Sequence, residues 1–361
     1  MRPVIVWRAM RFLFFLAVVG GLGGVSACGQ GAPSAELPKD PRAVLAMAAP
    51  FYDFSDASMK PWHLKATYQL YDAKGNASSQ GTYEYWWVSP TVHRSTWVRD
   101  GNAHSDWYTS DGKHFYVSVG ASPEFFEYKI QSDILSPLPE PSEYDSAKSY
   151  FDREMVKAGD SKVPCIMIVP KMPLHGEVAQ IPLGMFPTYC FDARLPVLLM
   201  KTSFGSLTVS YSRFATMDHR YVPQAISELE GGRKILTLTV DALGGLMPDD
   251  PALTPPAEAK GTSVTPVPVD EKVMVGRRIK AELPVYPQDA KEARAQGTVE
   301  LKALIGRDGK IHDLQVVSAA YPSLVASALW AVSRWEYQPY LLNGEPVDVS
   351  TDIKVIYSLG G

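Results

Sequence analysis

Long apolar runs are missing from this sequence, and so are the short motifs that announce catalysis. The longest membrane-like stretch, Phe12 to Ala27, falls short of the roughly 20 residues a helix needs to cross a bilayer. Gly20, Gly21, Gly23 and Gly24 weaken it further as a helix. No Gly-x-Ser-x-Gly, no His-Glu-x-x-His and no phosphate-cradling glycine loop occurs, which removes the usual signatures of serine hydrolases, zinc peptidases and nucleotide-driven enzymes. Acidic residues are plentiful, but no two stand out as an acid–base couple, so no catalytic residue is assigned. Excess charge is missing too. The net of −4 leaves no basic footprint for nucleic acid. Cysteine is scarce, with three residues and no Cys-x-x-Cys spacing, which argues against redox catalysis and structural zinc. His93, His104 and His114 fall on neighbouring predicted strands, but without carboxylate or thiolate ligands at matching spacing they are expected to hold no metal. No cofactor is expected.

What the chain does have is turn and strand material: 29 prolines, 27 glycines, 18 tyrosines and 8 tryptophans. Arg42 to Tyr52 reads as a short helix. From Trp62 to Tyr71 apolar and polar residues alternate, the mark of a half-buried strand. Further strands are predicted through Val240, interrupted by a proline-rich stretch and a helix-like run from Ser142 to Lys157. Asp111-Gly112 signals a tight hairpin. Tyr83, Tyr85 and Trp87 share one strand face, and Trp97 joins them from the next strand. These rings are either sheet core or the lining of a pocket for an apolar ligand. Trp86 must face the other way, toward a second layer or a partner. Cys165 and Cys190 lie in apolar segments and are expected to form a disulfide if the chain is exported, contributing about 3 kcal/mol; two buried thiols are the alternative. The fold class is α+β, an antiparallel half-barrel or barrel-like sheet with capping helices followed by a small β-β-α-β unit. The division is 1–27 signal peptide, 28–41 flexible tether, 42–245 β-rich domain, 246–271 Pro-rich linker and 272–361 second domain. The linker reads as a disordered or extended tether.

The last ninety residues carry ordered motifs: Pro-Val-Tyr-Pro at 284–287, an alternating strand from Thr298 to Ile305, an Arg307-Asp308-Gly309-Lys310 turn, a returning strand, an amphipathic helix opened by Pro322, and Trp335-Glu336-Tyr337-Gln338-Pro339 at its exit. This succession resembles the TonB C-terminal domain family. The resemblance implies a binding module that pairs an exposed sheet edge with a short segment of an envelope protein, in well-known members an outer-membrane receptor peptide. Carried onto this sequence, the partner-binding candidates are Tyr286, Pro287, Asp348, Ser350, Asp352 and Lys354, with the strand Asp348 to Tyr357 as the edge. The first domain resembles the half-barrel of LolA- and LolB-like lipoprotein carriers, whose hollow implies a lipid or acyl ligand; a lipocalin-like barrel or a two-sheet sandwich is the alternative. At the amino terminus, three arginines, the apolar stretch and Val25-Ser26-Ala27-Cys28 resemble a bacterial lipoprotein signal, implying a lipid on Cys28 and an envelope location facing the periplasm, at the outer membrane rather than the inner. A cleaved signal with a free Cys28 and an uncleaved anchor are the alternatives. The family's energy-transducing members keep a transmembrane helix, and this departure favours a non-enzymatic binding lipoprotein over a TonB-type transducer.

Overall fold

A computed structural model of the chain describes residues 37–141, 145, 147–171, 182–204, 207–318 and 321–359. The signal, most of the tether and Cys28 lie outside the described residues.

The chain enters through α1 (Pro41–Ala48), capped by the Asp40 side chain and continued by a 3-10 turn to Tyr52. Five strands follow: β1 (Trp62–Tyr71), β2 (Ala77–Ser89), β3 (Val92–Arg99), β4 (Asn102–Tyr108) and β5 (His114–Val119). Next comes α2 (Phe125–Leu135), held at its start by a capping box in which Glu124 and Glu127 each bond the other's backbone. Seven more strands complete the run: β6 (Ser149–Ala158), β7 (Ser161–Pro170), β8 (Thr188–Phe191), β9 (Leu198–Ser203), β10 (Leu207–Met217), β11 (Arg220–Glu230) and β12 (Arg233–Gly245). With β13 (Lys260–Thr262) they form one antiparallel sheet of 13 strands, ordered β13-β5-β4-β3-β2-β1-β12-β11-β10-β9-β8-β7-β6. Among the described residues the end strands β13 and β6 do not pair, which leaves the sheet an open half-barrel. The helix expected from Ser142 to Lys157 is corrected: residues 149–158 are a strand, paired along its whole length with β7. That ladder overrides the local helix preference of its charged residues.

Along β1 and β2 the alternation resolves as expected. Trp62, Leu64, Ala66 and Tyr68 are buried, as are Tyr83, Tyr85 and Trp87 opposite them. α1 and α2 cover this face, adding Val44, Leu45, Ile130 and Ile134 to one core. Cys165 on β7 stands directly opposite Cys190 on β8, and the two are joined as a disulfide.

The second unit begins with β14 (Val267–Pro268), α3 (Glu271–Val275), β15 (Arg278–Lys280) and α4 (Gln288–Glu292). It continues through β16 (Gly297–Ile305), β17 (Ile311–Ser318), α5 (Pro322–Val332), β18 (Glu336–Tyr337), the small β19 (Leu341–Leu342) and β20 (Glu345–Pro346) hairpin, and β21 (Val349–Tyr357). Its main sheet is ordered β14-β21-β16-β17. Val299, Leu301, Ala303 and Ile305 face Leu324, Val325, Ala328 and Val332 of α5, all nearly fully buried. Gly309 is required in the β16–β17 turn. Its φ is +79°, and a Cβ would collide with the Tyr337 carbonyl oxygen.

The segment expected to hang as a loose tether is bound at both ends, a second correction. β13 pairs with β5 and β14 with β21. Before them, the Ala252 carbonyl accepts from Trp107 Nε1 (2.9 Å) and Arg94 Nη1 (3.2 Å). Proline depletes backbone donors but favours extended chain, and extended chain suits the two sheet edges that recruit it.

Candidate functional site

β21 is a central strand on one side and a partly open edge on the other. Its inner side pairs with β16 along the whole strand, from Gly297 opposite Tyr357 to Ile305 opposite Val349. Among the described residues, another strand pairs with its outer side only at the start. There β14 runs parallel, Val267 opposite Val349 and Pro268 opposite Ser350. The Val267 N–H donates to the Asp348 carbonyl (2.8 Å) and the Val269 N–H to the Ser350 carbonyl (3.0 Å). Further on, the Glu271 carboxylate accepts the Lys354 N–H at 3.2 Å. Among the described residues no strand pairs with Asp352 to Tyr357 on this side. Val349, Thr351, Ile353, Val355 and Tyr357 point into the core, while Asp352, Lys354 and Ile356 are exposed, Ile356 at 74%.

The site residues named from sequence divide accordingly. Asp352 and Lys354 sit on the open stretch. Asp348 and Ser350 do not present an open edge, because their outward carbonyls are taken by the chain's own residues 267 and 269. The Asp348 carboxylate is also committed inward, accepting from the Arg307 backbone N–H (2.8 Å) and Arg307 Nη1 (3.1 Å). Tyr286 is a strut: it stacks edge-on against Tyr357 (5.5 Å) and its hydroxyl donates to the Ala295 carbonyl. Pro287 caps the start of α4. Glu271, Val267 and Val269, which shape the margin most directly, were read from sequence as linker. No local pattern marks them, since their role depends on which edge the segment reaches.

Arg307 links the margin to the large sheet. Its guanidinium lies over Tyr116 (4.1 Å) and bonds both Asp348 and Asp106. Asp106 in turn meets His114 Nε2 (2.7 Å) and His104 Nε2 (2.9 Å). Burial alone would raise the Asp106 carboxyl; His104, His114 and Arg307 outweigh it and hold it well below the usual carboxylate range. Nearby, Tyr128 of α2 stacks on His312 at 3.6 Å, and Lys129 bonds Asp313 at 3.2 Å. Two of the three histidines on neighbouring strands, His104 and His114, thus meet around a carboxylate bonded to an arginine, in a junction between the two sheets, while His93 stacks on Tyr108.

The rings proposed as a ligand lining are packed. Tyr83, Tyr85, Trp87 and Trp97 are at most 5% exposed. Tyr83 lies 5.2 Å from Trp97, and Trp62 lies 5.4 Å from Tyr85. Trp97 donates through Nε1 to the Glu127 carbonyl of α2 (2.9 Å). A cavity beside Trp97, Arg99 and Glu127 has a volume of about 10 Å³, room for about one water. The hollow that an acyl chain needs is filled by α2 in this conformation. On the opposite face Trp86 stacks on His63 (4.7 Å) and under Arg94 (4.3 Å), beside the chain leading out of β12.

Residues 282–359 match the model of the Gram-negative bacterial TonB protein C-terminal family. This segment is similar to the TonB C-terminal domain. The chain is 28% identical over 115 residues to Protein TonB of Vibrio cholerae serotype O1, an alignment covering 32% of this chain. It spans 46% of that relative's length. Solved structures similar to the chain include a LolA superfamily protein from Nitrosomonas europaea, at 9% identity and TM-score 0.31 over 60% of this chain and 97% of that one. A DUF1329 family protein from Desulfovibrio piger is similar at 12% identity and TM-score 0.35, over 57% and 93%. The half-barrel description rests on the sheet itself. No helix among the described residues is long and apolar enough to cross a membrane.

Proposed function

We propose that this chain is a non-enzymatic envelope lipoprotein, anchored through Cys28 and facing the periplasm, that docks an envelope partner by strand addition along β21. The observation that carries this reading is the stretch from Asp352 to Tyr357, paired inward with β16 and strand-free outward, in a segment of the TonB C-terminal family. Strand addition draws affinity from main-chain hydrogen bonds and specificity from alternate side chains. Here those side chains would meet Asp352, Lys354 and Ile356. The division into a 42–245 domain, a 246–271 connection and a 272–361 domain is kept, with the large unit acting as the support to which the docking unit is clamped. Any acyl ligand of the large unit would have to displace α2.

The test is amide chemical-shift mapping on the mature, isotope-labelled chain, titrated with synthetic N-terminal peptides of outer-membrane receptors. Shifts concentrated on Asp352 to Tyr357 are expected; binding mapped to β17 or to the large sheet alone would overturn the reading. The match to Protein TonB supports a second reading, a TonB-type transducer acting on outer-membrane receptors. Mass spectrometry of the membrane-extracted chain separates them: diacylglyceryl on Cys28 supports the lipoprotein, and an intact Met1 supports the transducer.

A further inference from the structure

We propose that residues Val267–Val269 are a built-in occupant of the docking edge, and that an incoming extended segment binds β21 by replacing them, running parallel to it. This rests on the docking reading above. The segment already has the geometry of a bound strand. Val267 and Val269 donate to Asp348 and Ser350 at 2.8 and 3.0 Å, and the residue between them, Pro268, has no N–H to donate. Its place is exposed, whereas Val267 and Val269 are half-buried, and Val269 packs against the small unit's core. Successive residues of a strand turn their backbone groups and side chains alternately, so proline is tolerated where the N–H faces away from the partner strand. The occupant therefore describes the ligand class: an extended peptide with donors at alternate positions, β-branched or similar apolar side chains there, and any residue, proline included, between them.

A short hold on a tethered segment permits exchange. A two-residue register, with donations from the Val267 and Val269 N–H groups, holds it, against the nine-residue pairing of β16 with β21. The Glu271 carboxylate on the Lys354 N–H extends the cover by one more group. Upstream, β13 anchors the chain to β5, and His114 Nδ1 reaches the Ser263 carbonyl at 3.3 Å. Only residues 263–266 separate the two anchors, a reach of roughly 14 Å. A displaced segment stays beside the edge at high effective concentration and competes with any ligand. Apparent affinity for a partner then falls by the fraction of molecules with the edge open.

The experiment uses the full mature chain and a fluorescent peptide of the chain's own sequence from Thr265 to Asp270. The double variant Val267→Pro, Val269→Pro removes both donors. It is expected to bind the peptide at least about tenfold more tightly than the wild type, which should bind it weakly or not at all. Amide spectra confirm that both proteins are folded. Equal affinity in the two proteins overturns self-occupancy. A folded variant that binds neither this peptide nor the receptor peptides overturns the docking reading as well. Receptor peptides that shift Asp352 to Tyr357 equally in both proteins leave docking intact and remove only the gate. A cysteine pair at Pro268 and Ser350, which lie in register, supplies the converse: oxidation should abolish binding of a receptor peptide.

Discussion

The two sheets bury their inner faces by different chemistry. The small one uses aliphatic side chains, with Leu301, Leu324, Val325 and Val332 at 0% exposure and the polar backbone groups absorbed in strand and helix ladders. The large one is built around aromatic rings and buried charges. The Glu127 carboxylate, 1% exposed, accepts from Tyr68 Oη (2.5 Å), Arg99 Nε (2.8 Å), Arg99 Nη2 (3.0 Å) and the Glu124 N–H (2.8 Å). It ties α2 to β1 and β3 in one network. An aliphatic core tolerates approximate shape and loses stability in proportion to what is removed. A satisfied ionic network fails as a unit, because each deletion leaves its partners buried and unpaired.

The largest effect should therefore come from Glu127→Ala. Removing it leaves Arg99 with long contacts to Asp100 and Ser79, frees the Tyr68 hydroxyl and loosens the start of α2. A loss of about 4 kcal/mol is expected, read as a lowered urea midpoint, and α2 amides should exchange faster with solvent. The same variant should begin to take up an apolar fluorescent probe, since α2 fills the space beside Trp97. If the probe stays excluded, the large sheet is a closed support and has no latent ligand site.

Next comes the aliphatic comparison. Leu301→Ala should cost about 3 kcal/mol, while Leu301→Met should cost less than about 1.5 kcal/mol. Equal losses for the two variants would mean that the small core is as exacting as the large one.

This contrast also explains what could be read in advance. Alternation from Thr298 to Ile305 and the stripe of Leu324, Val325 and Ala328 depend on local periodicity, and the elements appear where that periodicity puts them. The alternating run from Trp62 to Tyr71 emerged as a strand with those limits. α2 was missed because its inward face carries Glu127 and Asp133 as well as Ile130 and Ile134, so its sequence has no clean apolar stripe. The strand from Val349 to Tyr357 was legible, but the segment that pairs outside it was not. That Val267 lies against Val349 follows from where a distant segment comes to rest.

The large sheet should also respond to acid through its buried imidazoles. His93 stacks on Tyr108 at 4.3 Å. Burial, and then the nearby His114, pull its imidazole down to about 4. The unfolded chain takes up a proton there near 6.5, whereas the folded chain does not until about 4. Folding is therefore opposed increasingly as pH falls through that window, by roughly 3 kcal/mol at its lower end. Asp106 acts further down: its depressed carboxyl lends stability above the ordinary carboxylate range, and this is lost as pH falls below it. Urea midpoints from pH 7 to 4 should drop less steeply in His93→Gln than in the wild type. Parallel curves would assign the acid response elsewhere.

The smallest effect separates two buried glutamates of the same sheet. Glu127 sits in the grip of Arg99. Glu228 on β11 is fully buried beside Asp133, whose carboxylate is bonded by Lys201 at 2.7 Å. Burial, reinforced by the Asp133 charge, pushes the Glu228 carboxyl well above its ordinary value, which favours the protonated, donor-bearing form. An amide has nearly the same shape and can also donate. Glu228→Gln should therefore change stability by less than about 1 kcal/mol at pH 7, where Glu127→Ala costs several. The pH dependence supplies the sharper sign. A group whose folded value is raised adds stability that is complete below its unfolded value and fades as pH climbs toward the folded one. The wild type should lose stability with rising pH above about 4.5 through this group, and the glutamine variant should not. A variant that is strongly destabilised at pH 7 would mean that Glu228 is ionised and matched to Lys201, placing both glutamates in the same class.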